Sequence, residues 1–430
     1  MPPACVAAAA ARPAPLYGRT YPGRVSRPVR VVPATPTTVP ELTAALTAAL
    51  DGTGPAVLPV EASDAGGTGR DETAGEVPDD VALLVRTSGS TGTPREVMLT
   101  ATALRASGAA TEARLAGPGR WLLPLPPAHV AGLQVLVRSI LAGTQPAVLP
   151  GPFRAEAFAA AVAATTRDDG PRYTSLVPTQ VHRLLDSAAG REALASFDAV
   201  LLGGAAASPA LLAAARSAGA RVVTTYGMSE TCGGCVYDGV PLDGVAVDLD
   251  PDDGRVRLAG PVIAAGYRGR PDLDAQLFEV RDGTRWLRTS DLGRWDADGR
   301  LEVLGRADDV LVTGGVKVPP AAVERVLAAL PGVGEVLVVG VPDPEWGQAL
   351  VAVVAPAAGA PAPDLADLRD AAAAALGGPA APRHLVTVRA LPLRGPGKPD
   401  RRGAAALAAR ELGLPGAGPG AVVGDATPGA

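Results

Sequence analysis

Short apolar runs of strand length alternate with stretches of about three helical turns between Val81 and Thr225. Strands that are apolar throughout are typical of parallel sheets, which are covered by helices on both faces. Such sheets bind ligands beyond the carboxyl ends of their strands. The segments 87–92, 203–205 and 226–230 each follow a predicted strand. The alternation therefore predicts an α/β fold of doubly wound, mostly parallel sheets, with a ligand site where these segments meet.

Hydrophobic periodicity locates the individual elements. Helices are predicted at 41–50, 101–116, 129–141, 154–166, 179–185, 209–217, 321–330, 365–375 and 401–412. Strands are predicted at 56–60, 81–85, 121–125, 147–149, 173–177, 199–202, 221–225, 335–341, 350–354 and 385–388. The segment 61–77 is rich in Gly, Asp and Thr, and it is predicted to be a loop.

The length of 430 residues allows about two or three compact units. Frequent Asp-Gly pairs between 236 and 304 favour an antiparallel β subdomain after the parallel sheets. The charged, glycine-rich stretch 305–315 is a candidate hinge, and a small α+β unit follows it. We predict a poorly ordered segment over 1–40, a large ligand-binding domain over 41–307, a small C-terminal domain over 308–412 and a disordered tail over 413–430.

Composition excludes several classes of protein. The net charge of −5 provides no basic field, which argues against a nucleic-acid partner. Three cysteines do not form a disulfide framework, so we expect a reducing cytoplasm. No apolar run is long enough to span a membrane, and the alanine-rich start lacks the features of a signal peptide. We therefore expect a soluble, cytoplasmic protein with small-molecule partners. The sequence leaves the oligomeric state open, with a homodimer as one candidate.

The segment Thr87–Gly92, here called the phosphate loop, consists only of small or hydroxylated residues. Such residues let the backbone approach a polyanion and offer N–H and hydroxyl groups to phosphate oxygens. Arg95 adds a planar guanidinium suited to phosphate. A flexible linker is the alternative, but an apolar run lies on each side of this segment. The Lys-Ser or Lys-Thr pair that closes the P-loop of NTPases is missing.

Three further segments carry candidate functional groups. Tyr226 could stack on a flat base and Glu230 could hold Mg²⁺, although an ordinary strand end would also explain this segment. Asp291 lies in a tight loop where it could bind ribose hydroxyls, and Arg306 offers a guanidinium nearby in sequence. Lys398 lies in a Gly/Pro loop that could deliver an ammonium group to a distant site, whereas a lone lysine is usually a solvated surface charge.

The pair Cys232 and Cys235 forms a CxxC motif, but a zinc site would need two more ligands with suitable spacing. We favour packing or pocket lining for these cysteines. His129 begins a predicted helix after a proline-rich segment, and we favour a pocket wall over a simple polar helix start. His182 is interpreted as structural. No G-x-S-x-G motif and no spacing typical of a Ser-His-Asp triad occurs.

Together and in this order, the motifs resemble those of the adenylate-forming superfamily of acyl-CoA synthetases, peptide-synthetase adenylation domains and luciferases. The motifs are TSGSTGTPREVML, TTYGMSE, TSDLGR, GRADDVLVTGGVKV and the late GPGK. The resemblance spans about residues 41–412. Three further segments are most similar to the actinobacterial 2-succinylbenzoate–CoA ligases of menaquinone synthesis. These segments are LPPAHVAGLQVLVRSILAG, YTSLVPTQ and TTYGMSETCGGCVYDGVPLDGV.

The resemblance implies an ATP-dependent ligase that adenylates an aromatic carboxylic acid, releases pyrophosphate and then forms the CoA thioester. It implies ATP, Mg²⁺ and CoA as cofactors or co-substrates. The implied ATP- or AMP-binding residues are Thr87, Ser88, Gly89, Ser90, Thr91, Gly92, Gly203, Gly204, Ala205, Thr225, Tyr226, Gly227, Asp291 and Arg306. The implied catalytic residues are Lys398, His129 and Arg95, with Glu230 on the metal and Asp308 at the hinge.

The chain departs from the family pattern after the phosphate loop, where Pro94-Arg95-Glu96 replaces the usual Pro-Lys-Gly. Glu96 would place an anion beside a polyanion, so the sequence predicts that Glu96→Gly lowers the KM for ATP. 2-Succinylbenzoate is a dianion, and its second carboxylate needs a cation or several donors in the pocket. The residues predicted to line the acyl site are His129, Gln134 and Arg138.

Other functions stay open at this point. The chain could be a ligase for another aryl or acyl acid, or an adenylating domain that loads a carrier protein, although no carrier domain follows residue 412. It could also be a degenerate homologue that binds nucleotide without turnover, because of Arg95 and Glu96. A zinc or redox protein that uses Cys232 and Cys235 is the third alternative.

Overall fold

The structure is a computed structural model that describes residues 25–61, 73–88, 94–165, 170–357, 359–394 and 398–414. Its first sheet has six strands: β1 (Ser26–Pro33), β2 (Ala56–Val60), β3 (Thr73–Pro78), β4 (Val81–Ser88), β5 (Pro94–Thr100) and β15 (Gly266–Tyr267). The strand order is β15-β5-β4-β2-β1-β3. The pairs β1–β2 and β2–β4 are parallel, and the remaining pairs are antiparallel.

The second sheet contains the longest parallel array of the molecule. Its strands are β6 (Arg120–Leu123), β7 (Ala147–Val148), β8 (Arg172–Leu176), β9 (Ala199–Leu202), β10 (Val222–Met228), β11 (Gly233–Tyr237) and β12 (Val240–Pro241). The order is β12-β11-β10-β9-β8-β6-β7. Pairing is parallel from β7 to β10 and antiparallel from β10 to β12. The carboxyl ends of β8, β9 and β10 therefore lie side by side.

Helices cover these sheets as the apolar strands require. They are α1 (Val39–Leu50), α2 (Ala101–Arg114), α3 (Val130–Leu141), α4 (Ala155–Ala163), α5 (Pro178–Leu185), α6 (Ala188–Ala195) and α7 (Pro209–Ser217). One core joins the two sheets through α1, α2 and α3, with Leu46, Leu104 and Leu133 fully buried. The other face of the second sheet packs on α4 to α7 around Phe158 and Leu194.

An antiparallel sheet follows the two α/β sheets. It contains β13 (Ala246–Leu249), β14 (Arg255–Ala259), β16 (Phe278–Arg281), β17 (Thr284–Trp295) and β18 (Leu301–Arg306), with α8 (Pro271–Leu277) beside it. Asp282 and Gly283, in the turn between β16 and β17, both have positive φ angles, of 49° and 75°. The backbone of this hairpin turn therefore suits the Asp-Gly pair in the sequence.

The C-terminal unit is a small α+β structure. Its elements are β19 (Leu311–Thr313), β20 (Val316–Val318), α9 (Pro320–Leu327), β21 (Val333–Asp343), β22 (Gly347–Pro356), α10 (Leu365–Leu376), β23 (His384–Thr387), β24 (Leu393–Arg394), β25 (Lys398–Pro399) and α11 (Arg401–Glu411). The sheet β21-β22-β23 has a core on each face, with α9 and α10 on one side and α11 on the other. A 3-10 turn (Ala307–Asp309) connects this unit to β18.

The predicted fold class is confirmed, and two local predictions are wrong. Residues 26–40 are not poorly ordered, because β1 pairs in parallel with β2 and α1 begins at Val39. Residues 73–77 form β3 rather than a loop. The apolar stretch after Pro94 is β5, antiparallel to β4, so the phosphate loop connects a hairpin. Residues 1–24 and 415–430 lie outside the described residues. No described helix is long and apolar enough to cross a membrane.

Candidate active site

The hairpin of β4 and β5 presents the phosphate loop at its tip. Thr87 lies opposite Arg95 across the hairpin, and Ser88 ends β4 opposite Pro94. The Thr87 hydroxyl lies 3.5 Å from the Arg95 carbonyl oxygen. The predicted residues Gly89, Ser90, Thr91 and Gly92 lie outside the described residues. The structure therefore describes the base of the phosphate loop, where Thr87 and Arg95 face each other.

Glu96 and Arg95 project to opposite faces of β5, because successive side chains of a strand alternate. Arg86 donates to one oxygen of the Glu96 carboxylate at 3.2 Å, and Arg268 donates to the other at 3.1 Å. The charge of Glu96 is therefore balanced by two guanidinium groups. The prediction that Glu96 repels a polyanion in the phosphate loop loses its basis. The buried Nε of Arg95, by contrast, has no hydrogen-bond partner among the described residues.

Glu230 lies in the 3-10 turn Ser229–Thr231, directly after β10. The hydroxyl of Tyr267 donates to Oε1 of Glu230 at 2.5 Å, and the Ala264 amide donates to its carbonyl oxygen at 2.8 Å. Burial raises the pKa of Tyr267, and the Glu230 charge raises it further, so this hydroxyl keeps its proton and donates it. Sequence reasoning missed Tyr267, because nothing in the local pattern around Gly266 indicates a partner for Glu230.

Tyr226, Asp291 and Arg306 form a contiguous set. The Tyr226 hydroxyl donates to Oδ2 of Asp291 at 2.8 Å, and Arg306 lies 3.4 Å from Oδ1. Asp291 and Arg306 are direct partners on β17 and β18, which explains why residues fifteen positions apart meet. Asp291 is only 8% exposed, and burial raises the pKa of its carboxyl, while Tyr226 and Arg306 oppose the rise. Arg306 also pairs with Asp308 at 2.8 Å.

Glycines bring the ends of β9 and β10 unusually close together. A Cβ on Gly203 would lie 2.3 Å from the Thr225 hydroxyl oxygen, so no side chain fits there. Gly204 has a φ of +81°, a conformation that favours glycine. A Cβ on Gly227 would lie 2.0 Å from the Gly233 carbonyl oxygen. The loop 203–205, which includes the predicted Ala205, therefore lies against Thr225 on β10, while Gly227 lies against Gly233 on β11. The segments 203–205 and 225–227 form one wall that includes Tyr226.

The predicted acyl-site residues on α3 have different surroundings. His129 precedes the first turn of α3, and its Nε2 lies 3.0 Å from Oε1 of Glu61 at the end of β2. Gln134 is 2% exposed, and neither its amide nitrogen nor its amide oxygen has a partner among the described residues. A Cβ added to Gly233 would lie 3.2 Å from the Cγ of Gln134, so the two residues are neighbours. Gln134 is thus a buried amide with unused hydrogen-bonding capacity near the start of β11.

Arg138 lies about 13 Å further along α3 than His129. Its guanidinium lies over the Trp121 ring at 5.0 Å and donates to the Tyr237 hydroxyl at 3.3 Å. Its charge also acts on the partly buried Glu112, where it opposes the rise of that carboxyl's pKa on burial. The buried Nε of Arg138, like the amide of Gln134, has no hydrogen-bond partner among the described residues. Part of the guanidinium is therefore bound inside the protein and part of it is not, and the role of Arg138 toward a substrate carboxylate stays a prediction.

Cys232 and Cys235 are both free and completely buried. Burial raises the pKa of the Cys232 thiol and raises that of Cys235 to about 12. Thiols with raised pKa values are poor metal ligands and poor nucleophiles. Within the described part of the chain, no group of three or more His, Cys, Asp or Glu residues could hold a metal. The zinc or redox alternative therefore has no support, and packing explains the CxxC motif.

Lys398 and Asp308 are the predicted site residues nearest the C-terminus of the chain. Lys398 begins β25, whose backbone pairs with β24 at Arg394, and its side chain lies outside what the structure describes. Asp308 lies in the 3-10 turn after β18, within reach of Arg306. The contact between Arg306 and Asp308 links the Asp291 set to the segment predicted as a hinge.

Comparison with known proteins identifies the family. The model described as AMP-binding enzyme matches residues 25–268, and that of the AMP-binding enzyme C-terminal domain matches 322–398. A "Probable 2-succinylbenzoate--CoA ligase" of Mycobacterium tuberculosis is 45% identical over 361 residues, which cover 83% of this chain and 92% of that protein.

Two solved structures show the same fold. The amide bond synthetase McbA from Marinactinospora thermotolerans has a TM-score of 0.68 at 29% identity, covering 88% of this chain and 80% of that one. Wild-type E. coli MenE with a bound m phenylether-linked analogue of OSB-AMS has a TM-score of 0.65 at 27% identity. The match covers 90% of this chain and 89% of that one. The first family model alone spans more than half of the chain. The chain therefore belongs to the AMP-binding enzyme family and has the adenylate-forming fold.

Proposed function

We propose that the protein is an AMP-forming acid–thiol ligase that converts 2-succinylbenzoate into its CoA thioester, a step of menaquinone biosynthesis. The observation that carries this proposal is the Tyr226–Asp291–Arg306 set beside the wall formed by 203–205 and 225–227. The 45% identity to a probable 2-succinylbenzoate–CoA ligase supports the choice of acid. The alternatives are a ligase for another aryl or acyl acid and a degenerate nucleotide-binding homologue.

The nucleotide is proposed to bind at the carboxyl ends of β9 and β10. Gly203, Gly204, Ala205, Thr225, Tyr226 and Gly227 would together line the adenine site. This assignment is supported by the close approach of Gly203 to Thr225, which makes the two segments neighbours. Asp291 and Arg306 would bind the ribose hydroxyls, because a buried carboxylate accepts hydrogen bonds from a diol. The phosphate loop, Thr87–Gly92, would bind the β- and γ-phosphates.

Glu230 is proposed to hold Mg²⁺ with the phosphates. Mg²⁺ takes one or two protein carboxylates and keeps phosphate oxygens and waters as its other ligands. A single oriented carboxylate fits that requirement, and Tyr267 orients the one at Glu230. Mg²⁺ bound there would offset the negative charge of the phosphates. Arg95 would add a second cation, which is supported by its buried Nε without a partner among the described residues.

The chemistry proceeds in two displacements. A carboxylate oxygen of the acid attacks the α-phosphorus of ATP, and the bond to pyrophosphate breaks. The CoA thiol then loses its proton and attacks the acyl carbon, and AMP leaves. Lys398 is proposed to contact the acid and the α-phosphate during the first displacement, where its charge offsets the negative charge of the transition state. The thiol needs the same space in the second displacement, so Lys398 has to leave.

The acyl group is proposed to lie along α3 between His129 and Gln134. The unused amide of Gln134 supports this assignment, since a buried polar group without a partner costs free energy until a ligand supplies one. Its NH₂ group would donate to the second carboxylate of the acid. Arg138 would add a positive charge for the same carboxylate, which is supported by its buried Nε without a partner among the described residues. Its contacts with Trp121 and Tyr237 hold the guanidinium in place.

The movement of Lys398 requires two bodies. We propose domain boundaries at 41–307 and 308–412, with the hinge at Asp308 in the 3-10 turn after β18. ATP and CoA are cytoplasmic metabolites, so the enzyme is proposed to act in the cytoplasm. A homodimer stays a prediction.

A pyrophosphate-release assay tests the proposed function. Purified protein is given ATP, Mg²⁺ and a panel of carboxylic acids, with and without CoA. We expect release with 2-succinylbenzoate and a thioester only when CoA is present. Release with a different acid would change the substrate and keep the mechanism. Acyl-AMP without thioester would favour another acceptor, such as the amine implied by the name of McbA. No release with any acid, in a protein that binds ATP, would favour a degenerate homologue.

A further inference from the structure

Arg401 is the first residue of α11 and lies three positions after Lys398. Its Nε lies 3.1 Å from Oδ2 of Asp309, in the 3-10 turn that contains the proposed hinge. Its two terminal nitrogens donate to the two oxygens of Glu324 on α9, at 2.5 and 3.0 Å. One of them also donates to the Val338 carbonyl oxygen of β21 at 3.0 Å. A single guanidinium thus connects four separate elements.

These contacts form a closed network rather than a surface ion pair. Oε1 of Glu324 also accepts from the Val338 amide at 2.8 Å, so the carboxylate is fixed to β21 independently of Arg401. The side chains of Arg401, Asp309 and Glu324 are 26%, 33% and 17% exposed. Bidentate guanidinium–carboxylate contacts with limited exposure are more rigid and more directional than exposed pairs.

The network fixes the start of α11, and the start of α11 fixes Lys398. Asp400 caps the helix by accepting from the Gly403 amide at 3.1 Å, and its own amide donates to the Pro392 carbonyl oxygen at 2.9 Å. Only Asp400 and Pro399 separate Arg401 from Lys398, and the ring of Pro399 restricts the backbone between them. The backbone between Lys398 and Arg401 is therefore short and has little conformational freedom.

We propose that Arg401 is a positioning residue for Lys398. With Asp309 and Glu324, it ties the start of α11, and with it β25 and the backbone of Lys398, to the hinge turn, so that the turn and the lysine move together. This inference rests on the proposed function. The residues of the network, Asp309, Glu324, Val338 and Arg401, all follow Asp308 in the sequence, so the network would move with the small domain. It is needed where Lys398 acts, in the adenylation step. It is dispensable for thioester formation, when Lys398 has left.

The test measures the two half-reactions separately. Adenylation is followed as pyrophosphate release from ATP with 2-succinylbenzoate, and thioester formation as CoA consumption from added 2-succinylbenzoyl-AMP. For Arg401→Gln we expect adenylation to fall on the order of 10²-fold, because a displacement of about 1 Å has that effect, with thioester formation unchanged. Arg401→Lys should restore part of the adenylation rate, since one ammonium group can replace only some of the hydrogen bonds that the guanidinium donates.

Two further variants support the interpretation. Arg410→Gln removes an exposed arginine from the other end of α11 and should leave both half-reactions unchanged. Glu324→Gln keeps the shape of the side chain and removes only its charge, so it tests the same network if Arg401→Gln does not fold. It should show a smaller loss with the same selectivity for adenylation.

Three outcomes overturn the inference. Equal losses in both half-reactions would mean that Arg401 only stabilises the fold. Unchanged adenylation in Arg401→Gln would mean that Lys398 is positioned without it. If wild-type protein carries out neither half-reaction, the proposed function fails and the inference fails with it, whereas an active wild type with an unselective variant overturns the inference alone.

Discussion

Tyr226 illustrates how one hydroxyl group prepares a carboxylate for a ligand. Asp291 is buried, and burial of a carboxylate without partners is costly. The hydroxyl of Tyr226 and the guanidinium of Arg306 supply partners on the two oxygens, so the charged form persists inside the protein. The carboxylate is thereby held in place without a ligand, and at the proposed nucleotide site this would reduce the loss of conformational freedom on binding.

Replacement of Tyr226 by Phe should weaken ATP binding. Hydrogen bonds to charged groups contribute about 1.5 kcal/mol or more, so we expect the KM for ATP to rise about tenfold. The matched control is Tyr173→Phe, which removes a hydroxyl bonded to the Gly117 carbonyl oxygen, outside the proposed site. Steady-state kinetics with varied ATP provide the measurement. Equal KM values in Tyr226→Phe and the control would show that the hydroxyl does not position Asp291.

The raised pKa of Asp291 predicts a pH dependence with a definite sign. A carboxyl whose pKa is raised on folding adds stability below its unfolded pKa and loses that contribution as pH rises through its folded pKa. The proposed binding of the ribose hydroxyls needs the charged form of the Asp291 carboxylate. We therefore expect kcat/KM for ATP to fall on acidification at a pH above the ordinary aspartate value of about 4.

A pH profile of Asp291→Asn tests whether this fall of kcat/KM at low pH, here called the acid limb, belongs to Asp291. The variant should have a low kcat/KM for ATP that no longer changes over that pH range. Asp198→Asn, which alters a partly exposed carboxylate paired with Arg221, should keep the wild-type limb. Persistence of the limb in Asp291→Asn would assign it to another group.

At the scale of elements, the β4–β5 hairpin shows why Glu96 is tolerated. Arg86 and Glu96 are direct cross-strand partners. Arg268, the residue that follows β15, also donates to the Glu96 carboxylate. The main chain of Arg268 also donates to the Glu96 carbonyl oxygen at 2.9 Å. Glu96 thus joins β4, β5 and β15 at the base of the phosphate loop, on the face opposite to Arg95.

Glu96→Gly should not lower the KM for ATP, contrary to the prediction from the sequence alone. It leaves two guanidinium groups without their shared acceptor. The free energy of unfolding should fall by about 1 kcal/mol, a value discounted for the exposure of Arg86. Urea denaturation of Glu96→Gly, Arg86→Gln and the double variant gives the coupling energy. A lower KM for ATP, or strictly additive losses, would contradict the interaction.

The elements with strong local signals were predictable, and those set by long-range pairing were not. Pro209–Ser217 was predicted to the residue, because a serine cap and a proline in the first turn mark its start. β3 was missed, because its pairing with β1 has no sequence signal in a segment rich in Gly and Thr. The contacts of Asp291 with Arg306 and of Glu96 with Arg268 depend on strand register, which the residues alone do not reveal.

At the scale of the whole molecule, the proposed site is divided between two parts of the chain. The segments 203–205 and 225–227, Glu230 and Asp291 precede the 3-10 turn Ala307–Asp309, and Lys398 follows it. This division is what a two-step reaction requires, because one group has to be present in the first step and absent in the second. The order of motifs along the sequence predicted it, while the network around Arg401 appears only in three dimensions.

Acid-dependent exchange of labelled pyrophosphate into ATP tests most directly whether the acid is activated as an adenylate before CoA reacts. We predict exchange with 2-succinylbenzoate and Mg²⁺ in the absence of CoA. The exchange should disappear in Lys398→Ala, a variant that should still bind ATP. Exchange that needs CoA, or that persists unchanged in Lys398→Ala, would contradict activation through an acyl-adenylate at this site.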